Sequence, residues 1–290
     1  MQRGGSDSVF VALQYLLPHH LLCRLVYALT RSETRWLKTL LIGAFVRAYA
    51  PEMTDAAEPD PHAYRSFNAF FTRALRADVR PADPDARAIA SPCDGMLSVA
   101  DSLRGNRLLQ AKSHDYTLDD LLAGQSEWVA RLAGGLFATL YLAPHNYHRV
   151  HMPLAGRLSA AWQVPGRLFS VNRQSAERVP RLFARNERVV CAFEGDHGPF
   201  VLILVGALFV GSMSTVWHGE VTPARTAAGV RPLAAATGVE LWQPRGAELG
   251  RFNMGSTVIL LLPPGVAHWE ASLRPGLPLR VGQRLGLLDS

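Results

Sequence analysis

The sequence predicts an α+β fold, a mainly antiparallel β domain preceded by an N-terminal amphipathic helical region. Three observations carry that expectation. Apolar residues in the first fifty positions recur at helical spacing. From residue 89 onward, short apolar runs rich in β-branched residues are separated by Gly and Pro turn signals. No dinucleotide-binding Gly fingerprint or G-x-S-x-G elbow accompanies them, so a doubly wound α/β domain is not indicated.

With 290 residues, 48% apolar and 19% charged, the chain is globular and long enough to bury a large core. The net charge is +6 and the sequence pI about 9.6, and nearly all of the positive charge is Arg, since Lys occurs only at positions 38 and 112. The Arg residues are scattered and no zinc-finger or RNP signature accompanies them, which argues against a nucleic-acid partner. Cys23, Cys93 and Cys191 are odd in number and widely spaced, so neither a disulfide framework nor a Cys-rich metal site is expected. A reducing, cytoplasmic setting fits that usage.

Residues 8–50 are strongly apolar but interrupted by Pro18, His19, His20, Arg24, Arg31, Lys38 and Arg47. No uninterrupted run reaches the ~18 residues of a membrane-spanning helix, and the pattern is not that of a secretory signal. Phe10, Leu13 and Leu17 would share one helical face; Leu21, Leu22, Leu25 and Leu29 another; Trp36, Leu37, Leu40, Leu41, Ala44 and Phe45 a third. Thr30 and Glu33 have capping-box spacing, predicting a helix start there. Such helices either pack on the protein's own core or lie in a membrane interface; the added Tyr15, Tyr27, Trp36 and flanking basic residues favour the interface.

The stretch "PEMTDAAEPDP" at 51–61 reads as a linker, dividing the chain into residues 1–61 and residues 62–290. Phe67, Phe70, Phe71, Ala74 and Leu75 then form a core stripe on a helix. "YTLDDLLAG" is a brief helix with a Gly stop. "RVVCAFEGDHGPFVLILVGALFVG" reads as two strands joined through Gly195-Asp196-His197-Gly198, and "STVILLLPPG" as a strand ended by Pro263 and Pro264.

Chemistry-bearing side chains concentrate in "SPCDGML" (Asp94), "PHNYHRVHMP" (His145, His148, His151) and "NMGST" (Ser256). Individually these have bland readings: Asp-Gly and Gly-Ser are ordinary turn pairs. Two His residues without an H-E-x-x-H spacing or a nearby carboxylate make a poor metal site, so no metal is expected. Together, Asp94, His151 and Ser256 have the residue types of an acid, a base and a nucleophile, whose chain order is free to vary. That leaves three classes open: a self-processing enzyme, a serine hydrolase that keeps Ser256 as a working hydroxyl, and a non-enzymatic membrane-associated protein.

One combination narrows the choice. "SFNAFFTR", "SPCDG", "YHRVHMP", "VPGRLFSVN", "LFARNERVV", "ILVGALFVGS", "TVW" and "GRFNMGSTV" resemble the bacterial phosphatidylserine decarboxylases, a pyruvoyl-dependent family, over about residues 63–265. Met254 replaces the usual Leu of the cleavage motif, a near-isosteric exchange. Ser214 stands where an acid is common, and Lys112 lies in a stretch that departs from the family pattern, so neither receives a role.

The resemblance implies that the Gly255–Ser256 bond is cut by the chain itself. His151, oriented by Asp94, would take the Ser256 proton, and Ser256 would end as a covalent pyruvoyl group heading a small chain 256–290, paired with a large chain 1–255. The pyruvoyl ketone would hold the serine headgroup of phosphatidylserine as a Schiff base and accept the electrons left by CO2, with His148 transferring protons. The implied product is phosphatidylethanolamine, for phospholipid biosynthesis. No pyridoxal phosphate and no metal is implied. The implied setting is peripheral, on the cytoplasmic face of the cell membrane, with the two chains as a heterodimer open to further oligomerisation.

Overall fold

The run Ser256–Leu262 (STVILLL) is buried at every position, as a strand covered on both faces must be. It forms the centre of the fold in the computed structural model, which describes residues 11–12, 14–111, 114–208, 212–221, 229–233 and 241–289. Phe10, Leu13 and Lys112 lie outside the described residues.

The strands that frame the site are β1 (Gly95–Ser102), β2 (Leu136–Leu142), β3 (Arg149–His151), β4 (Gly156–Val164), β5 (Arg188–Gly195), β6 (Gly198–Val205), β7 (Met213–Thr215), β8 (Gly219–Val221), β9 (Glu248–Phe252) and β10 (Ser256–Leu262). In the large sheet they run β4–β5–β6–β10–β2–β1, with short strands at both edges, and in the small sheet β8–β7–β9–β3. Every pairing along these two paths is antiparallel. The α+β, mainly antiparallel expectation therefore holds. β5 and β6 form the expected hairpin, with Gly195 opposite Gly198 and Asp196-His197 between them.

Helices α1 (His19–Arg31), α2 (Arg35–Tyr49) and α3 (Phe67–Phe71) lie outside the sheets. α1 buries His19, Cys23 and Thr30 and leaves Leu21, Leu25 and Leu29 exposed; α2 buries Ile42 and Phe45 while Trp36 and Leu40 are 69% and 62% exposed. Ile42, Phe45, Phe67, Phe70 and Phe71 make a second small core. Met254 packs against both this core and the main one, tying the helices to the start of β10.

Two local expectations differ. α1 runs through Arg31, so Thr30 lies inside a helix and its hydroxyl donates back to the Val26 carbonyl at 2.8 Å instead of capping α2, which begins at Arg35 after Thr34. α3 ends at Phe71, and Leu75, expected on its apolar stripe, instead bridges to Ala56 in the 51–61 stretch. Among the described residues no helix is long and apolar enough to cross a membrane.

Candidate active site

The Gly255–Ser256 bond lies where the chain crosses from one sheet to the other, between β9 and β10. The turn is pinned from both sides. Asn253 donates through Nδ2 to Ser212 Oγ at 2.7 Å and through its backbone N–H to the Ser212 carbonyl at 3.0 Å, while Met254 is half-buried between the two cores. The Asn253 amide also reaches Ser214 Oγ at 3.3 Å, so Ser214 helps hold the turn. Gly255 does not adopt a positive φ, and a Cβ built on it would meet its nearest atoms at 3.7 Å and 4.0 Å. Neither conformation nor space demands glycine here, which leaves access to its carbonyl as a reason for it.

Ser256 is fully buried and its Oγ has no hydrogen-bond partner; the neighbouring Thr257 Oγ1 has none either. Buried hydroxyls are normally paired, so an orphaned pair at one peptide bond is a departure that function explains more readily than packing does.

His148 supplies the complementary orphan. It is fully buried, packed against Phe71 in a tilted pair with ring centroids 4.1 Å apart, and its Nδ1 donates to the Asn146 carbonyl at 2.9 Å. That contact fixes the proton on Nδ1 and leaves the Nε2 lone pair free, since a carbonyl can only accept. Nε2 has no partner and lies 4.0 Å from the Cβ position of Gly255. Burial pushes the His148 pKa down to about 3, against a smaller opposing pull from the Asn146 carbonyl, so the ring is a neutral base at neutral pH.

Asp94 and His151 lie in a neighbouring cluster. The Asp94 carboxylate accepts from Arg80 Nε at 3.1 Å, from Arg80 Nη2 at 2.6 Å and from the Val281 backbone N–H at 2.8 Å. Arg80 also binds Asp55 at 2.7 Å. Burial alone would lower the Arg80 pKa, but Asp94 and Asp55 together hold it above the usual value. The His151 backbone N–H bonds the Pro92 carbonyl, so the Asp94 turn and the His-rich strand β3 are stitched together. Its ring nitrogens are both engaged: Nδ1 donates to the Gly246 carbonyl at 2.8 Å, and Nε2 accepts from the Tyr147 hydroxyl at 2.9 Å. Burial lowers the His151 pKa, and the Gly246 carbonyl and the charges of Glu248 and Asp94 act to raise it.

Of the four residues singled out from the sequence, the structure thus brings His148 and Ser256 to the same bond. It hydrogen-bonds neither Asp94 to His151 nor His151 to Ser256, because Arg80 occupies the carboxylate and Tyr147 and Gly246 occupy the imidazole. Sequence reasoning missed Arg80, Tyr147 and Asn146. Tyr147 and Asn146 stand inside the His-rich stretch, where a polar side chain or carbonyl two to four residues from a His is a natural partner. Arg80 stands in a Pro-rich stretch that reads only as a connector.

A cavity of about 200 Å³ opens on Gly255 and Ser256, walled by Phe45, Tyr49, Phe71, Tyr141 and Met254 among others. Its size suits a small polar headgroup, and its wall from α2 joins it to the helices with exposed apolar faces. Among the described residues no group of His, Cys, Asp and Glu is arranged to hold a metal.

With this geometry in view, the comparisons with known proteins are specific. A family model described as phosphatidylserine decarboxylase matches residues 67–287, and a second, described as PSD, matches residues 9–50. The chain is 50% identical over 283 residues to the phosphatidylserine decarboxylase proenzyme of Ectopseudomonas mendocina, covering 97% of this chain and 98% of the relative. It is 49% identical to the proenzymes of Azotobacter vinelandii and Bordetella pertussis, over 97% of this chain and 98% and 95% of theirs.

Proposed function

This chain belongs to the phosphatidylserine decarboxylase family, and from that premise we propose that it converts phosphatidylserine to phosphatidylethanolamine and CO2 after cutting itself at Gly255–Ser256. The observation that carries the reading is the pair of buried, unpartnered atoms, Ser256 Oγ and His148 Nε2, at one peptide bond. Other buried polar atoms lack partners too, among them His19 Nε2 and Thr139 Oγ1, but Ser256 Oγ and His148 Nε2 converge on the same scissile bond.

Self-cleavage needs a base, a nucleophile and a reachable carbonyl. Ser256 Oγ loses its proton and attacks the Gly255 carbonyl carbon; the Gly255–Ser256 C–N bond breaks, and the acyl group moves to oxygen as an ester. Elimination of the Gly255 carboxylate and hydrolysis by one water, releasing ammonia, leave a ketone at position 256. The fragments are residues 1–255 and 256–290, held together because β10 of the small fragment is hydrogen-bonded to β6 and β2 of the large one. In the family's assignment His151, tuned by Asp94, is the base, and the Tyr147 hydroxyl is the partner it exchanges for Ser256. A second reading gives that proton to His148, whose free Nε2 is the ring nitrogen beside the bond.

The residues fit a pyruvoyl group: Ser256 is buried, its Oγ has no competing bond, and the cavity beside it is lined mostly by apolar side chains. Such a group, when present, supplies a ketone that condenses with the substrate amine and accepts the electron pair left by CO2. The chain's own part is to keep water away with Phe71, Tyr141 and Met254, and to take up a proton at the free His148 Nε2 during the reaction and return it to the carbon that has lost its carboxylate.

The lipid is reached from the surface. Leu21, Leu25 and Leu29 on α1 and Trp36 and Leu40 on α2 are exposed, and two apolar helices of this kind bury in the headgroup region of a bilayer without crossing it. Residues 1–61 act as the membrane-association region and 62–290 as the catalytic domain, peripheral on the cytoplasmic face. The net charge of +6 favours an anionic leaflet.

Intact-mass analysis of the purified protein, with phosphatidylserine turnover measured on the same sample, tests the reading. Two chains meeting at 255/256 together with turnover are expected. A single uncut chain that still releases CO2 contradicts it.

A further inference from the structure

A second cavity, about 930 Å³, lies on the other side of α3 from Ser256, lined by Asn68 and Ala69 where the reaction cavity is lined by Phe71. Its floor is one face of the small sheet. The register sets Glu220 opposite Ser214, Ser214 opposite Arg251, and Arg251 opposite Arg149, so these four side chains form a row across β8, β7, β9 and β3. The ends of the row are neutralised: Glu220 pairs with Arg31, and Arg149 pairs with Glu248 at 2.7 Å. Arg251, in the middle, has no acidic or carbonyl partner among the described residues, although it faces a like charge on the next strand.

Like charges directly opposite in a sheet repel. Another cation lining the cavity is also short of acceptors. Arg73 is only 3% exposed, yet its Nε and Nη1 have no partner, and its Nη2 reaches only the Glu52 and His145 carbonyls at 3.4 Å and 3.3 Å. Arg31 Nη1, on the opposite wall, is likewise buried and unpartnered. Leaving guanidinium N–H groups buried and unsatisfied costs stability, and a tetrahedral oxyanion matches their forked donors. Glu33 and Glu58, the remaining acids, are exposed at the rim.

We propose that this cavity is a binding site for a phosphate-bearing anion, held by Arg251, with Arg73 and Arg31 adding positive charge from its walls. The ligand is either free inorganic phosphate or the phosphate of an anionic lipid headgroup, since the cavity wall at Arg31 and Glu33 is the corner between α1 and α2, next to exposed Leu29 and Trp36. The site is separate from the reaction cavity and does not depend on self-cleavage.

Two titrations test it, each on the wild-type protein, on Arg251→Gln and on Arg104→Gln, which removes an exposed charge outside the cavity. The first uses inorganic phosphate in a calorimeter. The second measures sedimentation with vesicles of phosphatidylcholine, with and without phosphatidic acid. Loss of a charge-assisted contact lowers affinity about tenfold or more. Phosphate binding weakened by that much in Arg251→Gln alone supports the site with the free ion as ligand. Phosphatidic-acid-dependent sedimentation weakened in Arg251→Gln alone, with no phosphate heat, supports it with a lipid headgroup as ligand. Wild type, Arg251→Gln and Arg104→Gln behaving alike in both titrations, or the two variants weakened equally, would overturn it. Arg251 is partly exposed, so its replacement leaves the core intact.

Discussion

The two halves of the active region differ in how their polar atoms are satisfied. Around Asp94 and His151 every functional atom has a partner: Arg80 and the Val281 N–H on the carboxylate, Gly246 and Tyr147 on the imidazole. Around Ser256 and His148 the reactive atoms have none, although both residues are fully buried. A satisfied cluster holds a shape, and an unsatisfied one stores the capacity to react. The contrast separates side chains that must give up a partner before they can act from atoms already free beside the Gly255–Ser256 bond.

Ser256→Ala gives the largest effect. It removes attacker and cofactor precursor together, so cleavage and turnover both vanish while the melting temperature stays near that of the uncut wild type; a denaturing gel and a CO2-release assay read both. His148→Ala keeps the fold and loses turnover by about 10²-fold or more, the usual scale for a general acid or base. Its cleavage separates the two proton-transfer readings, because an intact single chain gives His148 the first proton as well.

Arg80→Leu strikes the satisfied cluster instead. Breaking a buried ion pair strands Asp94, 7% exposed, at a cost of about 3 kcal/mol or more. Urea unfolding should show that loss, and an unchanged midpoint would mean that Asp94 does not depend on Arg80. A smaller effect follows from pH. The His148 pKa is depressed to about 3 in the fold, so between that value and the unfolded value near 6.5 the unfolded chain binds the extra proton. Stability from this group is full above pH 6.5 and falls as pH drops through that window, by up to about 1.4 kcal/mol per pH unit. His148→Gln should flatten the urea-midpoint slope between pH 7 and 5 by up to one proton's worth. The smallest structural effect is Trp36→Ala: with the side chain 69% exposed, stability shifts by less than about 0.5 kcal/mol, while sedimentation with anionic vesicles falls several-fold.

Much of this was legible in the sequence, for reasons that differ by element. The strand STVILLL and the hairpin around Asp196-His197 announce themselves through β-branched runs and Gly turns, and Phe67, Phe70 and Phe71 through helical spacing. The α1–α2 junction misled because Thr30-x-x-Glu33 has capping-box spacing, while the helix that already contains Thr30 continues past it. At the site, residue types and motif order pointed to Asp94, His148, His151 and Ser256, but pairing is a tertiary property. Arg80, 14 residues before Asp94 in a Pro-rich connector, carries no local mark of the carboxylate it holds. The Arg149–Arg251 opposition is invisible without strand register, because the two residues are 102 positions apart.

Mass spectrometry of the purified wild-type protein reads directly whether the Gly255–Ser256 bond is cut. Two chains are expected, 1–255 and 256–290, the smaller blocked at its N-terminus and lighter than a Ser-initiated chain by one NH3. A small chain beginning with a free Ser256 amine, or one intact chain that still decarboxylates phosphatidylserine, would contradict it.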